Sequence, residues 1–165
     1  LIPDWSSHLG AQNKGLFFTA FTVTSVMVRF VAGKVSDRYG RPKVILAGLF
    51  IVVLALFVIS EGRNIQMLLL GAGIYGIGTG ILSPAISAWT IDLSSPEHRG
   101  KAVATMYISM ELGIGSGALL GGSYYNDQIM RIPQIMKFDI LVILLGIIYL
   151  IYWGRIVKRK RENFT

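Results

Sequence analysis

The chain has 165 residues, 53% hydrophobic and 15% charged, with a mean hydropathy of +0.58; this excludes an ordinary soluble domain of its size and puts the membrane class first. Its formal charge is +7, but Lys and Arg fall in short clusters between apolar runs, not on one face among aromatics, which excludes nucleic acid as the partner. There is no cysteine, and His8 and His98 sit in separate loops without companions at ligand spacing, so neither a disulfide nor a metal site is expected.

A hydrocarbon core about 30 Å thick asks for about 20 apolar residues per helix. Five runs meet that length, at 15–33, 44–60, 65–91, 102–122 and 134–154. They follow a loop over 1–14 and precede a basic tail over 155–165, so the expected fold is an all-α membrane bundle of five spans. Within the first run, Arg29 shares a face with Thr22 and Ser25, one turn before Gly33. From there a guanidinium can snorkel or bond to the loop that follows, which makes Arg29 an expected structural latch.

That loop, residues 33–43, reads GKVSDRYGRPK. Gly33 lets a neighbouring helix approach, Gly40 permits a positive φ, and Asp37 lies among Lys34, Arg38, Arg41 and Lys43 for local pairing or for capping a facing helix. The second run, 44–60, is uncharged. The third run carries a stripe of small residues at Gly76, Gly80, Ser83, Ser87 and Thr90, which favours tight packing over a wet passage. Pro84 predicts a bend in it. Tyr75 is a candidate contact for an organic solute, and Trp89, like Trp153 later, suits the membrane interface.

A second charged loop holds Asp92, Pro96, Glu97, Arg99 and Gly100. The fourth run then separates a glycine ridge, Gly113, Gly117 and Gly121, from a face carrying Tyr107, Glu111, Gly115 and Ala118. Glu111 falls near mid-span, where a carboxylate must face a cavity, a cation or a proton; with Tyr107 and Tyr75 it is the candidate proton or substrate site. In the fifth run Pro133 fits a first helical turn, with Lys137 and Asp139 at the interface. The tail reads as an anchor on anionic lipid.

With Arg29 set aside, eleven Lys and Arg (34, 38, 41, 43, 99, 101, 155 and 158–161) fall on one side of this zigzag and four (14, 63, 131, 137) on the other. The positive-inside rule therefore expects the N-terminus outside and the C-terminus in the cytoplasm. An outside start at Leu1, without a signal sequence, leads us to expect that the native chain has an earlier helix.

The 33–43 string resembles the G-x-x-x-D-R-x-G-R-x-K loop of the major facilitator superfamily, and it stands where that family has it, between a half's second and third helices. The loop from Asp92 to Gly100 looks like the family's loop between the fourth and fifth. The resemblance implies a twelve-helix carrier in two six-helix halves with substrate near the midplane, of which this chain supplies five. The glycines at 71, 73 and 76 lack the arginine common in the N-terminal half, and Ala118 stands where some exporters have proline. These departures favour the C-terminal half, helices eight to twelve.

The implied function is secondary active transport of a small solute across a bacterial inner membrane by alternating access, coupled to protons, with efflux slightly favoured over uptake. The implied partners are that solute, protons, the lipid bilayer and the remaining helices of the same carrier. No glycine-rich phosphate loop supports ATP-driven transport, and no cofactor is expected. Glu111 and Arg29, on separate helices, do not make an intramembrane enzyme. The alternative reading is a non-transporting scaffold or a truncated, inactive carrier fragment.

Overall fold

A computed structural model describes the backbone of residues 1–162 and the side chains of residues 1–154. It consists of six helices: α1 (Ile2–His8), α2 (Leu16–Tyr39), α3 (Arg41–Ser60), α4 (Ile65–Asp92), α5 (Arg99–Tyr125) and α6 (Ile132–Glu162). Single 3-10 turns at Pro96–His98 and Ile129–Arg131 precede α5 and α6, and no strand occurs among the described residues. The five helices from α2 to α6 are long and apolar enough to cross a membrane. The side chains of the basic tail expected over 155–165 lie outside the described residues.

The helices outrun the apolar runs that announce them. α2 continues past Gly33 through Lys34, Asp37 and Arg38 to Tyr39, because charged side chains end a hydrophobic run without breaking the i to i−4 ladder. What ends it is Gly40, at φ 90° and ψ 136°, a conformation that L side chains rarely adopt. α3 restarts at once, with Pro42 in its first turn. The expected eleven-residue loop is thus a one-residue corner. At the other end α4 opens under a side-chain cap, Asn64 Oδ1 accepting from the Met67 amide at 2.9 Å, and it runs unbroken through Pro84.

α4 is the middle of the bundle, packed between α2 and α3, and α3 in turn is covered by α6. Small residues let the backbones meet. A Cβ on Gly76 would overlap Thr24 Oγ1 and the Phe21 carbonyl, and one on Gly80 would lie 2.8 Å from the Ser25 carbonyl. On the opposite side of α4, Gly78 faces Val52 and Gly48 of α3, while Gly71 faces Ile59. The expected small-residue stripe is therefore a packing surface at Gly76 and Gly80. Nearer its end, the Ser87 and Thr90 hydroxyls donate to the Ser83 and Ile86 carbonyls of their own helix.

Two apolar clusters fill the ends. Trp5, Phe17, Ile59, Leu68, Ala72, Ile132 and Met136 gather under α1, and Val44, Ile45 and Ala85 gather at the other end. There Trp89 and Trp153 meet edge to face, with centroids 5.5 Å apart. α5 stands apart. No part of its apolar window is buried among the described residues, and Gly121 alone of its residues is buried. Nothing lies within 4 Å of a Cβ built on Gly113 or Gly117, while one on Gly121 would meet Ile135 Cγ2 at 3.8 Å, so the glycine ridge expected to pack does so, among the described residues, only at its Gly121 end. Small residues permit a close approach; they do not supply the partner.

At the α1 end, Lys137 of α6 reaches Glu61, just past α3, at 2.7 Å. Hydrogen bonding and charge from Lys137 hold the Glu61 carboxyl below its ordinary range. Since the folded value is the lower one, this tie is present above the ordinary carboxylate pKa of about 4.3 and is lost as pH falls through the folded value. Both side chains are about half exposed, so the effect is small and screened by salt. We expect the protection of amides at the end of α3, relative to their intrinsic exchange at each pH, to fall on acidification in the native protein and to lose that extra acid response in Glu61→Gln; equal protection profiles would show that the tie does not hold the helix end.

The close approach at α4 predicts a contrast between two glycines on one helix. Gly76→Ala should destabilise the fold by about 1–3 kcal/mol, as overpacking does. Gly73→Ala, whose Cβ would meet only Thr24 Cγ2 at 3.8 Å, should stay within about 0.5 kcal/mol. Thermal unfolding in detergent distinguishes the two, and equal shifts would mean that α2 and α4 are not in contact there.

Candidate functional site

The corner at Gly40 turns the start of α3 under the last turn of α2. Arg41 is its first residue, and its guanidinium reaches three ways. Nη1 pairs with Asp37 and donates to Ser36 Oγ at 3.3 Å, while Nε donates to Asp92 Oδ2 at 2.9 Å. Asp92 is the last residue of α4. One side chain thereby ties the ends of α2, α3 and α4 at the end of the bundle away from α1. A planar fork of donors suits this; a single ammonium could not face both carboxylates and the hydroxyl in the same way.

The other residues of the two charged loops surround this node without joining it. Arg38 lies over the ring of Tyr39, 5.7 Å from its centroid. Gly33 is half-buried with open space at its Cβ position, and Lys34 and Lys43 are exposed. Past α4, Ser95 Oγ and His98 Nδ1 lie 2.9 Å apart across the 3-10 turn that leads into α5. Glu97, Arg99 and Gly100 are exposed, and neither charged residue forms an ion pair among the described residues. Arg29 is exposed as well and, among the described residues, makes no hydrogen bond to the loop it was expected to latch. α2 stays helical to Tyr39, which holds that loop beyond it, and Arg41 performs the bridging.

Tyr75, Tyr107 and Glu111 are not brought together. Tyr107 and Glu111 do share a face, lining a shallow groove with Gly115 and Ser116 on the outer surface of α5. Tyr75 is part-buried and packs on Phe21, centroids 5.7 Å apart with planes at 42°. It lines a different space, a cavity of about 300 Å³ toward the α1 end, walled by Phe17, Phe21, Ile59, Met136 and Asp139 among others. Sequence reasoning placed Asp139 at the interface and did not single out Phe17 or Phe21. The available signals were an acid beside a long apolar run and three phenylalanines within five positions, but their convergence on Tyr75 requires α2, α4 and α6 to be packed.

A bundle of membrane-length helices, with a glycine-made corner and an ionic tie at one end and an apolar cavity toward the other, defines a polytopic membrane protein. The sequence matches the Major Facilitator Superfamily across residues 1–165, and the chain belongs to that family. It is similar to Multidrug resistance protein 1 of Bacillus subtilis, 27% identical over 158 residues that make up 94% of this chain and 39% of that protein. It is 24% identical to the Hexuronate transporter of the same organism, over 94% of this chain and 36% of that protein. Quinolone resistance protein NorA of Staphylococcus aureus is 28% identical over 81% of this chain and 34% of its own length. The chain thus spans well under half of these relatives.

The shared donor at Arg41 predicts coupling between helices. A double-mutant cycle of Arg41→Ala with Asp92→Asn should return an interaction energy of about 0.2–1 kcal/mol, the range of exposed ion pairs. Additive effects on thermal unfolding would mean that Arg41 does not bridge α3 to α4.

Proposed function

We infer that this chain is five helices of a secondary active transporter that moves a small solute by alternating access, with protons as the coupling ion and efflux slightly favoured over uptake. The observation that carries this reading is the Arg41 node. Alternating access needs contacts that hold one conformation and can be released at small cost, and an exposed ionic tie among three helix ends is such a contact. Family membership and the names of the multidrug and quinolone relatives support transport and an efflux direction.

In this reading the Arg41 end faces the cytoplasm, the N-terminus lies outside, and the membrane is a bacterial inner membrane, as the distribution of Lys and Arg favours. The five helices belong to the C-terminal half, and the exposed faces of α5, one with the glycine ridge and the other with Glu111, meet the other helices of the carrier or its central cavity. Glu111 has twelve helical residues before it and fourteen after it in α5, so it lies near mid-membrane, where a carboxylate serves to take up a proton or meet a solute.

The test uses the full-length carrier in everted membrane vesicles, with a proton gradient reported by a pH-sensitive dye. A panel of quinolones, hydrophobic dyes and hexuronates should include a solute that dissipates the gradient. Arg41→Ala should slow that flux at least about tenfold, a factor that corresponds to 1.36 kcal/mol on the barrier. Glu111→Gln should uncouple solute movement from protons. If no member of the panel moves protons, or if Glu111→Gln leaves flux and its pH dependence unchanged, the proton-coupled reading fails.

A further inference from the structure

We propose that α1 is a pH-sensitive strap: a proton on His8, over the Trp5 indole, seats this short helix on the bundle, and loss of that proton lets it loosen. The proposal rests on the reading of this end of the bundle as the outer one only for the compartment whose acidity is sensed; the contact itself is independent of transport. The two rings are stacked, with centroids 5.3 Å apart and planes at 22°. Their surroundings differ. Trp5 is 5% exposed and joins Phe17, Ile59, Leu68, Ile132 and Met136, so it anchors α1 to α2, α3, α4 and α6 at once. His8, the last residue of α1, is exposed and open to protons. At the other end of α1, Leu1 and Ile2 wall the cavity beside Tyr75, so what seats Trp5 also seats the cover of that space.

The seat is poised rather than fixed. Trp5 Nε1 and Ser6 Oγ are buried without a hydrogen-bond partner among the described residues, and donors taken from water without replacement oppose docking. Apolar burial of the indole works against that cost, so one added charge carries weight. Histidine is the side chain that changes charge between about pH 5 and 8, and a cation within about 6 Å of an indole centroid is drawn to the ring face. The sign follows: the stack is tighter in acid, and the gain is lost as pH rises. Other charges near α1 are engaged or stand off. Asp4, one turn before His8, pairs with the Leu1 amino group at 3.1 Å; Arg131 donates to the Tyr124 carbonyl at 2.8 Å; Lys137 holds Glu61. Lys14, Arg63 and Asp127 are exposed in connecting segments, and Asp139 lines the cavity below.

The experiment is hydroxyl-radical footprinting of the purified full-length carrier at about pH 5.5 and about pH 8, either side of the histidine range, with oxidised residues mapped by mass spectrometry. Oxidation of Trp5 and Met136 is taken relative to Trp89 at the far end of the bundle, which cancels differences in radical dose. In the native protein both ratios should fall about two- to fivefold in acid, the factor that a cation over an exposed aromatic ring supplies. His8→Gln should abolish the difference, and His8→Lys, charged at both values, should stay protected at both. Equal ratios at the two pH values in the native protein overturn the proposal without recourse to any variant. So does an acid response that persists in His8→Gln, which would trace it to Asp4 or Asp139 instead. Footprinting is read separately from transport: a carrier that moves solutes but shows no acid protection of Trp5 removes this proposal alone, and one that shows the protection without moving any solute removes the transport reading alone.

Discussion

The structure depends on how closely the backbones of α2 and α3 can approach α4. In lipid, apolar side chains gain little by leaving one hydrocarbon surface for another, so helix association rests on van der Waals contact and on what the backbones allow. Gly76 and Gly80 open one side of α4 to Thr24 and Ser25, and Gly71 and Gly78 open the other to Ile59, Val52 and Gly48. Both ends of the bundle inherit their geometry from this contact. At one end it brings Asp92 within reach of Arg41; toward the other it sets Tyr75 against Phe21 and leaves a cavity beside them.

Two carboxylates on membrane-length helices have different surroundings. Glu111 projects from a helix that has almost no neighbours among the described residues, on the same face as Tyr107. Asp139 lines a cavity that α2, α3, α4 and α6 wall together with the start of the chain, with aromatic rings already in place. The first is a site that this portion of the family fold only half defines, in keeping with the third or so of its relatives' length that the chain spans.

Much of this was legible in the residues. Five apolar runs of membrane length became five helices, because a bilayer core fixes how many residues a span needs, whatever their identity. The charged string from Gly33 to Lys43 pointed to the right family, but its shape was misjudged as a loop: hydropathy marks where side chains leave the hydrocarbon, not where backbone hydrogen bonding stops. Only Gly40, with its positive φ, ends the helix. The Gly113, Gly117 and Gly121 ridge was read as a packing surface from spacing alone, yet among the described residues only Gly121 meets a neighbour, because spacing cannot say where one is present.

Sequence by itself determined the helical class, the number of spans and the family, since these follow from composition, run length and one charged motif that local physics can express. Tertiary structure alone decided which charges meet. Asp37 and Arg41 are four positions apart and could pair in any helical arrangement, but the bond from Arg41 to Asp92 spans 51 positions and exists because α4 lies against both α2 and α3. For the same reason Asp139, on the last helix, shares a cavity with aromatic rings from α2 and α4. Long-range pairing is a property of packed helices, and no stretch of chain carries it alone.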